Sequence, residues 1–223
     1  MPSTLGLVGD LDDVEMLEDV ETAFGFRVRD DQLKRCMTVG DLFGVIEARL
    51  PSETSGENCA TAMCFYRMRR AIQPRLAVRL RPNTPIGSLR HLSVRDVHRI
   101  IKEECGLRPP PPTLSFWGCF ALVLVLALPL GAVALGFEWW IAIVSAVVAA
   151  ASFRLAPIHY PKSVQTFGDL VRQVSSRSIG ALAKEGARLR APEAWVAFRD
   201  VLSDHTDLPK DMILRETLIF APK

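Results

Sequence analysis

The side chains with the greatest intrinsic reactivity in this chain are five cysteines (Cys36, Cys59, Cys64, Cys105, Cys119) and four histidines (His91, His98, His159, His205). Cys59, Cys64, Cys105, His91 and His98 have the right atoms for zinc. Cys59 and Cys64 are five residues apart, however, and no C-x-x-C pair occurs, so the spacing does not predict a metal site. A glycine-rich phosphate loop, a G-x-S-x-G elbow and an H-E-x-x-H helix are all missing from the sequence. The histidines are scattered, and His98, His159 and His205 read as interfacial or exposed. These residues predict no catalytic group, no metal and no cofactor. The odd number of cysteines, one of them inside an apolar run, points to reduced thiols on a cytosolic side.

The remaining candidate chemistry is charge. Residues 1–57 hold 5 basic and 13 acidic side chains, a balance of −8, whereas residues 58–115 hold 11 basic and 3 acidic, a balance of +8. The acidic block is densest at Asp10, Asp12, Asp13, Glu15, Glu18, Asp19 and Glu21. Val14, Leu17, Val20 and Phe24 interleave with it at helical spacing, which predicts a helix over Leu11–Phe24 with these four residues facing a core. By charge alone such a helix reads first as a solvated acidic face; the alternative is long-range complementarity to a protein partner with a basic patch. The basic block, Arg67 to Arg108, lies beside a long apolar run, which favours anionic headgroups over nucleic acid as its counterpart. It could also receive the acidic helix of the same chain.

That apolar run, Phe116 to Phe153, carries one charge, Glu138. A crossing needs roughly 20 apolar residues, so the run predicts a two-pass hairpin turning at Glu138 within 116–157. Phe116 and Trp117 at the start, Trp139 and Trp140 at the turn, and a snorkelling Arg154 are its expected interface residues. Arginines before and after the run, with only Glu138 at the tip, predict cytoplasmic termini and an integral location in a cytoplasmic or inner membrane. No positively charged segment precedes an apolar run at the N-terminus, so no cleavable signal is expected. Ala142, Ala146 and Ala150 form a small-residue stripe for packing within the hairpin or between copies of the chain, a route to a homo-oligomer. The prolines at 109–112 read as a stiff spacer before the bilayer.

The chain contains an internal echo. Thr38, Gly40, Asp41 and Leu42 recur as Thr166, Gly168, Asp169 and Leu170, each set reading as a capped helix start. "LRPNTPI" (Leu80–Ile86) is echoed by "LRETLI" (Leu214–Ile219), and each follows a helical stretch, Cys59–Ile72 or Pro192–Ser203.

These motifs carry a resemblance to the acyl carrier protein family. Gly9–Leu50, with Phe24-Gly25 and the "TVGDL" opening, resembles the family's second to fourth helices, while Pro192–Phe220 resembles its first helix and the following loop. The resemblance implies a mainly α chain with two acyl-carrier-like helical bundles. One is circularly permuted across the termini (1–51 plus 191–223). After a linker at 52–58, the other (59–115 plus 158–190) is interrupted by the transmembrane hairpin, and Leu92–Leu107 is its second helix. In the family, a serine in a D-S-L motif at the start of the second helix is esterified by phosphopantetheine. The matching triplet here is Gly9-Asp10-Leu11, and a carboxylate cannot form that phosphodiester, so the resemblance implies loss of the group in this copy. In the other copy either His91 or Ser93 falls near the position, and neither sits in the family's motif. The expectation is therefore a membrane-anchored, non-catalytic docking protein that uses Asp10, Asp12, Asp13, Glu15, Glu18 and Asp19. The alternatives are a working carrier modified at Ser93, or an accessory subunit of a membrane enzyme or transporter.

Overall fold

The computed structural model describes residues 3–7, 12–50, 59–89, 91–114 and 158–220, together with single helical positions at 123, 127, 140, 143, 144 and 147. Within these limits the chain is mainly helical. Its helices are α1 (Asp12–Phe24), a one-turn α2 (Asp30–Leu33), α3 (Val39–Glu47), α4 (Ala60–Ile72) and α5 (Val94–Arg99), then α6 (Phe167–Arg177), α7 (Ile179–Lys184) and α8 (Ala191–Leu202). A two-residue antiparallel ladder pairs β1 (Thr113–Leu114) with β2 (Ile158–His159).

Local sequence explains where the helices begin and end. Thr38 accepts from the amide of Asp41 at 3.1 Å while the Asp41 carboxylate accepts from the amide of Thr38 at 2.9 Å, closing a capping box on α3. Thr166 and Asp169 repeat it on α6, and Ser93 and Asp96 on α5. Each box satisfies amides that a helix start leaves without intrahelical partners. Helix α1 stops at Gly25, whose φ of 76° is accessible to glycine at little cost. Gly106, with φ 62°, does the same after α5 and its π-helical extension Ile100–Glu104. The helix expected over Leu92–Leu107 is thus shorter and changes its winding. The Cys105 amide bonds to the Ile100 carbonyl at 3.1 Å, a five-residue step that brings Ile100, Ile101 and Cys105 into the core together.

Buried apolar side chains form two clusters. One joins Val20 of α1 and Phe43 and Ile46 of α3 to Phe198 and Val201 of α8 and to Ile213. The other joins Cys64, Met68 and Ile72 of α4 to Leu80, Ile101 and, from α6, Leu170. In α3, Val39, Leu42, Phe43 and Ile46 are all at most 1% exposed, each such burial stabilising by about 1.5–3 kcal/mol. The clusters abut where α1 meets α6 and α7, and where α6 meets α8. Ser176 donates to Asp200 at 2.8 Å across this seam, beside an Arg177–Asp204 ion pair.

The echoed loops dock in the same way. Around α3, the Val39 amide bonds to the Thr217 carbonyl (2.8 Å) and the Gly40 amide to the Arg215 carbonyl (2.9 Å). Around α6, the Phe167 amide bonds to the Thr84 carbonyl and the Gly168 amide to the Pro82 carbonyl, both at 2.8 Å. Thr217 and Thr84 also each accept from the amide three residues back, at Leu214 and Arg81. This places Ile213, not Leu214, opposite Leu80: both are fully buried, while Leu214 is exposed. The letter match between the two loops is therefore one residue out of step, because hydrogen bonding and burial set the register. Near the chain's ends, Leu218 accepts from Leu5 (2.9 Å) and donates to Ser3 (2.8 Å), so the last loop lies against the first residues.

Among the described residues no helix is long and apolar enough to cross a membrane. The expected hairpin at 116–157 falls outside those residues except at the six positions named above, and Phe116, Trp117, Trp139 and Arg154 lie outside them altogether. The segment's two ends are described. Thr113 pairs with His159 and Leu114 with Ile158, so the described residues on either side of the segment meet at one place.

Candidate functional site: the acidic helix and its surroundings

Helix α1 buries Met16, Val20, Ala23 and Phe24. This face is turned from the expected one: Val14 is 49% exposed and Leu17 only partly covered, while Met16 and Ala23 take the inner positions. Spacings of four, seven and eight residues from Met16 define a continuous stripe, and the partners that close over it come from α8 and α7, far away in sequence.

The rotation sorts the acidic side chains. Glu15 and Glu18 point outward, with no hydrogen bond or ion pair among the described residues. Asp19 instead lies 3.0 Å from Nε2 of His205, whose side chain is 11% exposed. His205 is thus a covered partner of the acidic helix, contrary to the interfacial or exposed place expected of it. Glu21 accepts from the Val28 amide at 2.6 Å and holds the turn after Gly25. The Asp13 carboxylate accepts from the next amide, that of Val14. Asp10 lies outside the described residues, and Asp12 opens the helix. Among the described acidic side chains of α1, Glu15 and Glu18 are therefore the ones left exposed and unpaired.

Part of the basic block borders the same surface depression as the acidic helix. Lys102, Arg108 and Arg177 line a depression of about 440 Å³ with Asp19 and Ala23. The proline run belongs to this contact: the Arg108 amide donates to Ser178 Oγ at 2.8 Å, and Pro110 is buried. Its first half is docked on the folded body, so it is no free spacer.

The other reactive residues have structural surroundings. Ser93 donates to the Asp96 carboxylate at 2.6 Å and accepts from the Asp96 amide at 3.1 Å. That exchange caps α5 and holds the Asp96 carboxyl below the usual carboxylate range. Burial pushes the Cys64 thiol up to about 12 and raises those of Cys36 and Cys105, which keeps all three protonated and poor as nucleophiles. Cys59 is exposed at the cap position of α4. No metal-holding group of histidine, cysteine and carboxylate occurs among the described residues.

One pair escapes sequence reasoning. His98 and Tyr160 lie with ring centroids 6.0 Å apart beside the ladder, and His98 Nε2 and the Tyr160 hydroxyl are buried without a hydrogen-bond partner. Burial lowers the His98 pKa and raises that of Tyr160, so both are neutral at physiological pH. The two residues are 62 positions apart, and nothing in the sequence signals their meeting. No family model matches this chain, and neither a curated protein nor a solved structure matches it.

Proposed function

We propose that this chain is a non-catalytic docking protein, held at the cytoplasmic face of a membrane by a two-helix hairpin within 116–157. The observation that carries the reading is the Thr113–Leu114 and Ile158–His159 ladder. A segment pinned at both ends to one point must cross a bilayer an even number of times, which keeps the folded parts on one side. The described apolar positions in that segment support it: Val123, Trp140, Ile143, Val144 and Val147 are helical and between 52% and 62% exposed. Such a density of exposed large apolar side chains is costly in water and expected against lipid.

The two hydrophobic clusters, with their matching capping boxes and loop hydrogen bonds, support a pair of acyl-carrier-like bundles. The first draws its helices from both ends of the sequence, and the second is interrupted by the hairpin. On this reading Glu15 and Glu18 form the docking face for a protein with a basic patch, steering it by charge.

The test uses the full chain. After high-speed sedimentation without detergent, and again after an alkaline wash, it is expected in the membrane pellet; recovery in the supernatant would overturn the tether. Affinity capture with the double variant Glu15→Lys, Glu18→Lys is expected to lose the partner that the parent retains. The variant spares Asp19, whose contact with His205 is structural. Retention of the same partner would remove the acidic face from the account.

A further inference from the structure

The two echoed loops differ in what they place over the neighbouring helix. Arg215 and Pro82 are equivalent, since each gives its carbonyl to the glycine amide of the paired motif, Gly40 or Gly168. Around α3, the exposed Arg215 side chain lies over the helix's aromatic neighbours: its guanidinium carbon is 5.2 Å from the ring centroids of both Phe43 and Trp195. Around α6, Pro82 has no side chain to extend, and Val171 stands four residues after Phe167 as Phe43 stands four after Val39. The place that Arg215 fills in one half is an open groove of about 640 Å³ in the other.

Its floor and wall are apolar. Phe65 and Tyr66 of α4 border it with Leu80 and Val171, and Tyr66 is 63% exposed. The rim is cationic, with Arg69, Arg79, Arg81 and Arg172 around the opening and no carboxylate among the lining residues. Arg172 is paired with Asp169, whereas Arg69, Arg79 and Arg81 have no ion pair or side-chain hydrogen bond among the described residues. Most neighbouring arginines do have partners: Arg67 pairs with Glu185, Arg75 with Glu104 and Arg99 with Asp96. Three guanidiniums held around one concavity without counter-charges make a favourable place for an anion. The amides at the start of α6 are already engaged by Pro82, Thr84 and Thr166, so the guanidiniums supply the free donors.

We propose that this groove binds a phosphate-bearing ligand with an apolar body. Arg69, Arg79 and Arg81 take the phosphate oxygens while Phe65 and Tyr66 cover the apolar part. Guanidinium forks match phosphate geometry, and the volume lies within the range of small-molecule sites. Such a phosphate could be an anionic lipid headgroup or a soluble organic phosphate. The site does not depend on Glu15 and Glu18, so its failure and that of the docking face are separately visible.

The experiment uses the full chain in nanodiscs of neutral phosphatidylcholine, titrated by calorimetry and phosphorus NMR with dihexanoyl phosphatidic acid, adenosine monophosphate and inorganic phosphate. At least one organic phosphate is expected to bind, with affinity falling as salt rises. Arg79→Gln with Arg81→Gln is expected to weaken it by about tenfold or more, and Tyr66→Ala to weaken the organic phosphate while leaving inorganic phosphate unchanged. Arg79 and Arg81 are exposed, so the helical circular dichroism and melting of that variant should match the parent's. Preference for phosphatidic acid assigns the site to lipid, and preference for the nucleotide assigns it to a soluble ligand. Equal binding by parent and arginine variant, no binding by any probe, or binding of inorganic phosphate alone would each overturn the proposal.

Discussion

Gly40 and Gly168 give the sharpest test of the two-fold pattern in this chain. A Cβ added to Gly40 would meet the Arg215 carbonyl oxygen at 2.8 Å, and one added to Gly168 would meet the Pro82 oxygen at 2.9 Å. Both contacts are with backbone, and in each case the oxygen struck is the acceptor of the glycine's own amide. The loop must therefore retreat by a few tenths of an ångström and lengthen that hydrogen bond. Overpacking of this kind costs about 1–3 kcal/mol, with loss of a backbone hydrogen bond worth about 0.5–1.5 kcal/mol contained within it. Alanine's higher helix propensity offsets about 0.5–1 kcal/mol, leaving a net loss of about 0–2.5 kcal/mol, centred on about 1 kcal/mol, at either site. At about 2–4 °C per kcal/mol for a chain of this size, the centre of that range lowers the midpoint by roughly 2–4 °C. Hydrogen exchange should show where the loss falls. Gly40→Ala is expected to deprotect α3, α8 and the loop 213–219, and Gly168→Ala to deprotect α4, α6 and the loop 80–86. Unchanged melting, or deprotection of both regions equally by either variant, would refute the reasoning that each glycine is required by its own loop.

Gly180 of α7 is tighter still. Its added Cβ would lie 2.1 Å from the Phe24 carbonyl oxygen, so Gly180→Ala should push α1 away from α7 and lower the midpoint by more than either variant above, whereas Gly44→Ala in α3 meets nothing within 4 Å and should raise stability by about 0.5–1 kcal/mol in thermal melts. The capping carboxylates predict a pH response. Hydrogen bonds from Thr38 and Thr166 depress the Asp41 and Asp169 pKa values, so their contribution is complete above the unfolded carboxylate value and is lost as pH falls through the folded one. Asp41→Asn with Asp169→Asn should therefore be less stable than the parent near neutrality, and the gap should close as pH falls below the unfolded carboxylate value of about 4. Parallel melting curves across that window would show that the carboxylates do not act by charge. Asp204, raised by burial, titrates in the opposite sense, and comparing variant with parent cancels it.

Short-range rules account for what was readable from residues alone. Thr38 with Asp41 and Thr166 with Asp169 cap their helices as written, because a capping box closes over four consecutive residues. Gly25 ends α1 where the expected helix ended, because the required φ is a property of the residue type; Gly106 carries the same signal, yet the helix expected there ran through it to Leu107. The apolar run at 116–157 was visible through composition, which needs no partner to be recognised. What depended on distant residues was not readable. The inner face of α1 is set by helices far along the chain, so periodicity chose Val14 where packing chose Met16 and Ala23. The loop register was decided by burial of Ile213 and Leu80, and His98 with Tyr160, like the ladder at Thr113 and His159, brings together residues across the whole apolar segment. Whether an arginine is paired or free is likewise a matter of tertiary contact: Arg67 found Glu185, whereas Arg69, one turn-face away, was left on the open groove. Residue type and near neighbours thus determined where helices begin and stop, while the three-dimensional arrangement alone determined which faces they bury and which charges remain available.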